Sequence, residues 1–283
     1  MGKHVIDVCI YHSVDLDGEC SAAIVVKKFP DVKLMPYNYG QDFDLSEVEG
    51  KNVIMVDLGF QPFHRMTRLY EVAESLVWVD HHKSNVTEFE RYGLRDAKVI
   101  LDTTKAACEL TWEYMYPGIR TPRGVYLLGR YDVWDHEDPE SIPFQYGMRA
   151  IQSSPKEDIW RWVLSESSID RVVNAGKDIV PYQKKKDDEY AKAYSFVVKF
   201  EGLRVIACNI GHSGSQLFDS VYDVEKHDAM MSFCMTNSQK YAVSLYSTKP
   251  SVDVSEIAKK YGGGGHRGAS GFQCDSLPFK SGE

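Results

Sequence analysis

Val77-Trp78-Val79-Asp80-His81-His82-Lys83-Ser84 is the stretch from which the fold is read. Apolar and β-branched residues from Leu76 run into three polar side chains with no turn residue between them. A strand of this kind delivers its polar residues to the edge of a sheet, and in open α/β sheets ligands bind at that edge. Asp-His-His alone is a weak signal. Its meaning depends on what the ends of neighbouring strands supply.

Working outward, Val5 to Tyr11 reads as a strand that stops at His12-Ser13-Val14-Asp15-Leu16-Asp17-Gly18. Ser21 to Phe29 has helical composition and ends at Pro30. One Asp would serve as the cap of that helix. Two, with a His before and a Gly after, exceed what a cap requires. Val32 to Tyr37 predicts a short strand, and Asn52 to Val56 another, ending in Asp57. Gln61 to Ala73 predicts a helix. Val99 to Leu101 is a short strand before Asp102-Thr103-Thr104, and either Thr is the simplest cap for a helix over Ala106 to Tyr116. Tyr126 to Tyr131 ends a buried helix at Asp132, and Asp135 to Asp138 reads as a solvated loop. Strands alternating with helices predict βαβ units and a doubly wound, mostly parallel sheet. Its strands would bring Asp15 and Asp17, Asp57 and His81 to one edge.

Residues 153–194 are helical in composition, and Lys184 to Glu189 is a mixed charge run that reads as a solvated helix face or linker. The pattern then shifts. Phe196 to Phe200, Leu203 to Ile210, Ala229 to Thr236 and Tyr241 to Tyr246 predict strands, with helices over Ser215 to Val221 and Val254 to Tyr261. This is a smaller α+β domain. It closes on Gly262-Gly263-Gly264-Gly265-His266-Arg267-Gly268 and a strand through Phe272. Glycines beside an Arg predict an anion cradle.

The chain has 283 residues, is 43% hydrophobic and 26% charged, and carries a formal net charge of −8. That balance argues against a broad basic surface for long duplex DNA. It suits a protein that gathers carboxylates around cations. None of the six cysteines forms a C-x-x-C pair, so they predict reduced core residues, not a disulfide frame or zinc knuckle. With no stretch of membrane-spanning length and no apolar leader, the expected location is the cytoplasm, away from membranes.

The strand-end residues His12, Asp15, Asp17, Asp57, His81 and Asp132 would repel one another severely without bound cations. Mixed imidazole and carboxylate ligands suit Mn2+, with Mg2+, Fe2+ or Co2+ as rivals. The number of ligands suits two ions sharing a carboxylate, and phosphoester hydrolysis is the natural reaction of such a pair.

The whole pattern resembles the DHH phosphoesterases that carry a DHH-associated C-terminal domain. The resemblance rests on His12…Asp15-Leu16-Asp17-Gly18, Val56-Asp57, Val79-Asp80-His81-His82, Asp132 and Gly263-Gly264-Gly265-His266…Ala269-Ser270-Gly271-Phe272. The family includes nanoRNases, linear and cyclic dinucleotide phosphodiesterases, pAp phosphatases and RecJ-like exonucleases. The resemblance implies a catalytic domain over 1–185, a linker over 186–202, a substrate-binding domain over 203–283 and a cleft between the domains. It implies two Mn2+ sites. His12, Asp15 and Asp57 hold one, and Asp17, Asp57, His81 and Asp132 hold the other, with Asp57 as the bridge. Asp80 orients a ligand imidazole, His82 faces the scissile phosphate, and Gly264, Gly265, His266 and Arg267 hold the far end of the substrate. Two residues separate His12 from Asp15 where many members have three, and Asp135 is the alternative to Asp132. The expected substrates are short RNA or DNA oligonucleotides cut to mononucleotides. Cyclic or linear dinucleotides and pAp are the alternatives, and a nucleotide-binding sensor is the non-enzymatic one. Members are often homodimers.

Overall fold

The computed structural model describes residues 5–39, 41–151, 153–167 and 169–279. The chain divides into two compact units, 1–180 and 181–283. The division falls at Pro181, inside a long helix, and not in a linker over 186–202. Those residues are the end of that helix, a strand and the turn after it.

The first unit is built on a five-stranded sheet. Its strands are β1 (Val8–His12), β2 (Lys33–Tyr37), β3 (Asn52–Val56), β4 (Ser75–Asp80) and β5 (Lys98–Leu101). Their order is β2-β1-β3-β4-β5 and every pairing is parallel. Successive residues point to opposite faces of a strand. Cys9, Ile54, Val56, Val77 and Val79 therefore pack into one core, while Val8, Ile10, Val53, Met55 and Trp78 pack into another. Burial on both faces explains why these strands read as continuous apolar runs instead of alternating ones.

Helices cover both faces. α1 (Leu16–Lys28), α4 (Ala107–Met115), α5 (Arg123–Asp132), α6 (Ser141–Arg149), α7 (Asp158–Val163) and the start of α8 (Ile169–Tyr194) contribute to the first core. α2 (His64–Val72) and α3 (Lys83–Tyr92) contribute to the second. The patterning gave no sign of α6, whose sequence carries Pro143 and Gly147. Pro143 lies in its first turn, where proline is tolerated. Gly147 lets α6 meet α8 closely, since a Cβ there would lie 2.1 Å from the carbonyl oxygen of Val172. The expected helix over Gln61 to Ala73 begins only at His64.

The second unit holds a six-stranded sheet in the order β10-β11-β9-β8-β7-β6. Its strands are β6 (Ser195–Phe200), β7 (Leu203–Asn209), β8 (Ala229–Met235), β9 (Tyr241–Tyr246), β10 (Gly264–Gly265) and β11 (Ala269–Cys274). α9 (Val254–Lys260) packs on one face with Val205, Met231 and Phe233. The helix expected over Ser215 to Val221 is a single 3-10 turn at Ser215–Phe218, which begins at a glycine with no side-chain cap. All six cysteines are free, and Cys9, Cys20, Cys108 and Cys208 are buried. Among the described residues no helix is long and apolar enough to cross a membrane.

Candidate metal centre

The carboxyl ends of β1, β3 and β4 lie side by side at the centre of the parallel sheet. Each delivers part of the site. α1 starts earlier than its apolar pattern suggests, so Asp17 and Gly18 lie in its first turn. Asp15 is the N-cap, accepting from the Gly18 N–H at 2.9 Å. It therefore both caps the helix and faces the site. Gly18 sits against the end of β1, where a Cβ would lie 2.0 Å from the carbonyl oxygen of His12. Only glycine permits that approach, which sets the distance between His12 and the α1 carboxylates.

Asp57 follows β3 with φ at +62°, a left-handed conformation. Such a conformation costs an L-residue about 1 kcal/mol. The Asp57 N–H still donates to Val79 at 2.9 Å, so the strained residue stays locked to β4.

Two clusters result. In the first, His12 Nδ1 lies 2.8 Å from Asp15 Oδ2 and 3.6 Å from Asp57 Oδ2. In the second, His81 Nε2 lies 3.3 Å from Asp17 Oδ2, 3.3 Å from Asp57 Oδ1 and 3.2 Å from Asp132 Oδ2. One N–H cannot serve three acceptors. Spacings of about 3 Å match the edges of a polyhedron with bonds of ~2.1 Å to a shared cation. Both oxygens of Asp57 are buried and accept no hydrogen bond among the described residues. Buried carboxylate oxygens are seldom left so, and a cation on each side would satisfy them. The donor set thus fits two divalent ions sharing Asp57. Asp135 lies elsewhere, paired with Arg130 at 3.1 Å, so Asp132 is the residue brought to His81.

The charges agree with that fit. Burial, then the neighbouring carboxylates, raises Asp17 to about 7 and Asp57 to about 7. Burial and Asp17 likewise hold Asp132 well above the usual carboxylate range. Burial opposes charge on His12, but Asp15 and Asp57 hold it well above the usual imidazole value. Without cations, the cluster keeps protons that a metal would displace.

Asp80 and His82 form a separate pair. Asp80 Oδ1 is 2.7 Å from His82 Nδ1 and accepts the His81 N–H at 2.7 Å and the His82 N–H at 3.2 Å. The imidazole that Asp80 orients is thus His82, whose Nδ1 also lies 3.9 Å from Asp57 Oδ1. Burial raises the Asp80 carboxyl, but the charge and hydrogen bond of His82 outweigh it and hold the pKa at about 2. Burial opposes charge on His82, yet Asp80 raises its pKa to about 9.

One residue of this arrangement was missed in the sequence. Asn85 on α3 donates from Nδ2 to Asp80 Oδ2, and its own Oδ1 accepts from Gln61 Nε2 at 2.8 Å. Gly59 makes room for it, since a Cβ there would lie 2.9 Å from the Asn85 amide. The available signal was positional: Asn85 lies in the first turn of the helix that His82 begins.

In the second unit, Gly264 and Gly265 form the short strand β10, which pairs with Gly271 and Ser270 of β11. Gly263 and His266 spend their N–H groups on the carbonyls of Ala258 and Ala269. The glycines are there for steric reasons: a Cβ on Gly263 would lie 2.0 Å from the carbonyl oxygen of Gly271, and Gly265 has φ at +136°. Arg267 is exposed at the turn of this hairpin. The N–H groups of Gly263 and His266 in the run are thus already engaged, whereas Arg267 is exposed.

No family model matches the chain. Its structure is similar to the DHH domain of a member of a family of ribosomal proteins, with a TM-score of 0.55 at 14% identity, covering 94% of this chain and 82% of that one. The chain has the fold of the DHH phosphoesterases. An exopolyphosphatase-related protein from Bacteroides fragilis shares this DHH fold with a TM-score of 0.53 at 14% identity, covering 96% of this chain and 88% of that one. RecJ from Thermus thermophilus, in complex with Mn2+, has a TM-score of 0.50 at 13% identity, covering 95% of this chain and 49% of RecJ. In sequence, an uncharacterised protein of Acanthamoeba polyphaga mimivirus is 26% identical over 303 residues, spanning 98% of this chain and 70% of that protein.

Proposed function

We propose that this protein is a phosphodiesterase that uses two divalent cations, Mn2+ foremost, to hydrolyse short oligonucleotides to mononucleotides. The observation that carries the reading is the pair of clusters joined through Asp57. His12 and Asp15 lie on one side, and Asp17, His81 and Asp132 on the other. These residues would hold a pair of cations, which would supply activated water and polarisation of a phosphoryl group. Asp57 keeps the two ligand sets at a fixed separation. His82, kept protonated by Asp80, is assigned to the scissile phosphate, where it neutralises developing charge and passes a proton from Nε2 to the departing oxygen. Asn85 and Gln61 hold Asp80 so that Nδ1 of His82 stays committed to it. Arg267, with Gly264, Gly265 and His266, is assigned to a phosphate of the substrate away from the scissile bond. Similarity to RecJ in complex with Mn2+ supports the choice of metal. The net charge of −8 supports short substrates over long duplexes.

The test is a substrate panel. Purified protein with Mn2+ is given an RNA dinucleotide, a five-mer, a 24-mer, a cyclic dinucleotide and adenosine 3′,5′-bisphosphate. Mononucleotide release is expected, fastest from the dinucleotide and five-mer. Binding without release from any of them makes the protein a nucleotide sensor and overturns the reading. Arg267→Ala is expected to raise KM by about tenfold while leaving metal content unchanged.

A further inference from the structure

The pattern of the sequence assigns the cap of α4 to Thr103 or Thr104, but neither is at its N-terminus. The N-cap is Ala106, which has no capping side chain. The acceptors come from elsewhere. Asp17 takes the Ala107 N–H on Oδ2 at 2.9 Å and the Cys108 N–H on Oδ1 at 2.7 Å. The open end of α4 therefore fixes both oxygens of one cation ligand, and the helix dipole favours its negative form. Glu109, buried in the same turn, accepts the Ala106 N–H at 3.3 Å.

Glu109 also reaches a second element. Its Oε2 lies 2.6 Å from Arg130 Nη2 on α5. Arg130 stands two residues before Asp132, the other carboxylate at His81. The guanidinium is bracketed on its far side by Asp135 at 3.1 Å. The backbone repeats that closure: the Asp135 N–H donates to the Arg130 carbonyl at 2.9 Å, and the Trp134 N–H to Tyr131 at 3.2 Å. This turn requires a left-handed residue, and Trp134 supplies it with φ at +62° where glycine is usual. Gly129 allows the approach of Glu109, because a Cβ there would lie 2.4 Å from Oε2. Arg130 Nε is buried with no acceptor among the described residues. A buried ion pair with an unmatched donor is a poor device for stability alone.

We propose that the Glu109–Arg130 pair is a positioning clamp that sets the separation of Asp17 and Asp132 across His81, and so the affinity of the cation site on that side. Glu109 holds the end of α4, which holds Asp17. Arg130 draws the last turn of α5, which carries Asp132, toward the same carboxylate. Neither residue touches the reacting atoms. The proposal rests on the reading of the His81 side as a cation site.

The test is Mn2+ titration of the full chain by calorimetry, alongside melting without metal. Arg130→Met is expected to weaken the ion on the His81 side by about 10–100-fold and the ion on the His12 side by less than about threefold. Arg130→Lys, which restores one bond to Glu109, is expected to fall between Met and wild type. Unchanged affinity at both sites, or an equal loss at both, overturns the clamp. A metal-free crystal structure of Arg130→Met supplies a second reading: the distance from Asp132 Oδ2 to His81 Nε2 is expected to lengthen, and retention of its present value overturns the proposal. Should Arg130→Met fail to fold, Gly129→Ala displaces the Glu109 carboxylate with both charged residues intact and is judged by the same outcomes. Two ions bound by wild type with no phosphoester cleaved sinks the phosphodiesterase reading but leaves the clamp standing.

Discussion

The two sides of the candidate metal centre use the same residue types and are framed in different ways. On the His12 side, the imidazole ends β1 and Asp15 caps α1 across one short turn, and Asp15 is held by the N–H of Gly18. Its side chain is 37% exposed. On the His81 side, four candidate ligands come from α1, the end of β3, the end of β4 and α5, and His81 and Asp17 are each 1% exposed. The local side has its carboxylate pulled down by His12 and Gly18 against the opposing effect of partial burial, whereas the assembled side has carboxylates raised by burial and by one another. A loop can place two ligands by its own turn geometry. Four elements need outside supports, which here are the N-terminus of α4 and the Arg130 network.

The sharpest way to break the comparison is to remove the residue both sides share. Asp57→Ala is expected to lose both ions and all hydrolysis, read by metal analysis and nucleotide release. Full activity in that variant would refute the two-cation arrangement. Next in size is His82→Ala, which lies on neither side. It is expected to keep both ions while kcat falls by about 10²–10⁴-fold. Loss of metal instead would make His82 a ligand. Asn85→Ala, which frees one oxygen of Asp80, is expected to give a smaller fall of about tenfold, with kcat more affected than KM.

Acid should act on both sides, since the raised His12 imidazole must also give up a proton to hold a cation. Asp17 and Asp57, with pKa values raised to about 7, carry protons below that pH. A cation must displace them, so affinity on the His81 side is expected to fall as pH drops from about 8 to 6, with proton uptake by buffer on binding. Calorimetry in buffers of different ionisation enthalpy measures that proton release, and a pH-independent affinity would contradict the raised values. The smallest expected effect is Trp134→Gly. It relieves a left-handed conformation of about 1 kcal/mol and should raise the melting temperature by a few degrees at most.

Much of the first unit was legible because its strands are buried on both faces and end abruptly in polar residues. Val56-Asp57 and Val79-Asp80 show a core ending at a sheet edge without any knowledge of the sheet. The hairpin strands of the second unit were legible by the same apolar pattern. The helix ends were not. α1 begins at Leu16 because Asp15 caps it, whereas the apolar pattern begins only at Ser21. α4 lacks a local cap because Asp17, distant in sequence, fills that role. The glycines of β10 read as an anion nest, but their freedom serves close packing of backbone against backbone.

From the sequence alone came the strands of the parallel sheet and the identity of the candidate ligands, though not α3 or α6, because burial patterns and residue chemistry are local properties. Only the tertiary structure decided which imidazole Asp80 orients, that Asp132 and not Asp135 meets His81, and that Asn85, Glu109 and Arg130 stand behind the ligands. Those choices depend on distances between elements far apart in the chain. Such distances are set by packing, where a single glycine at position 18, 59 or 129 fixes how closely two elements approach.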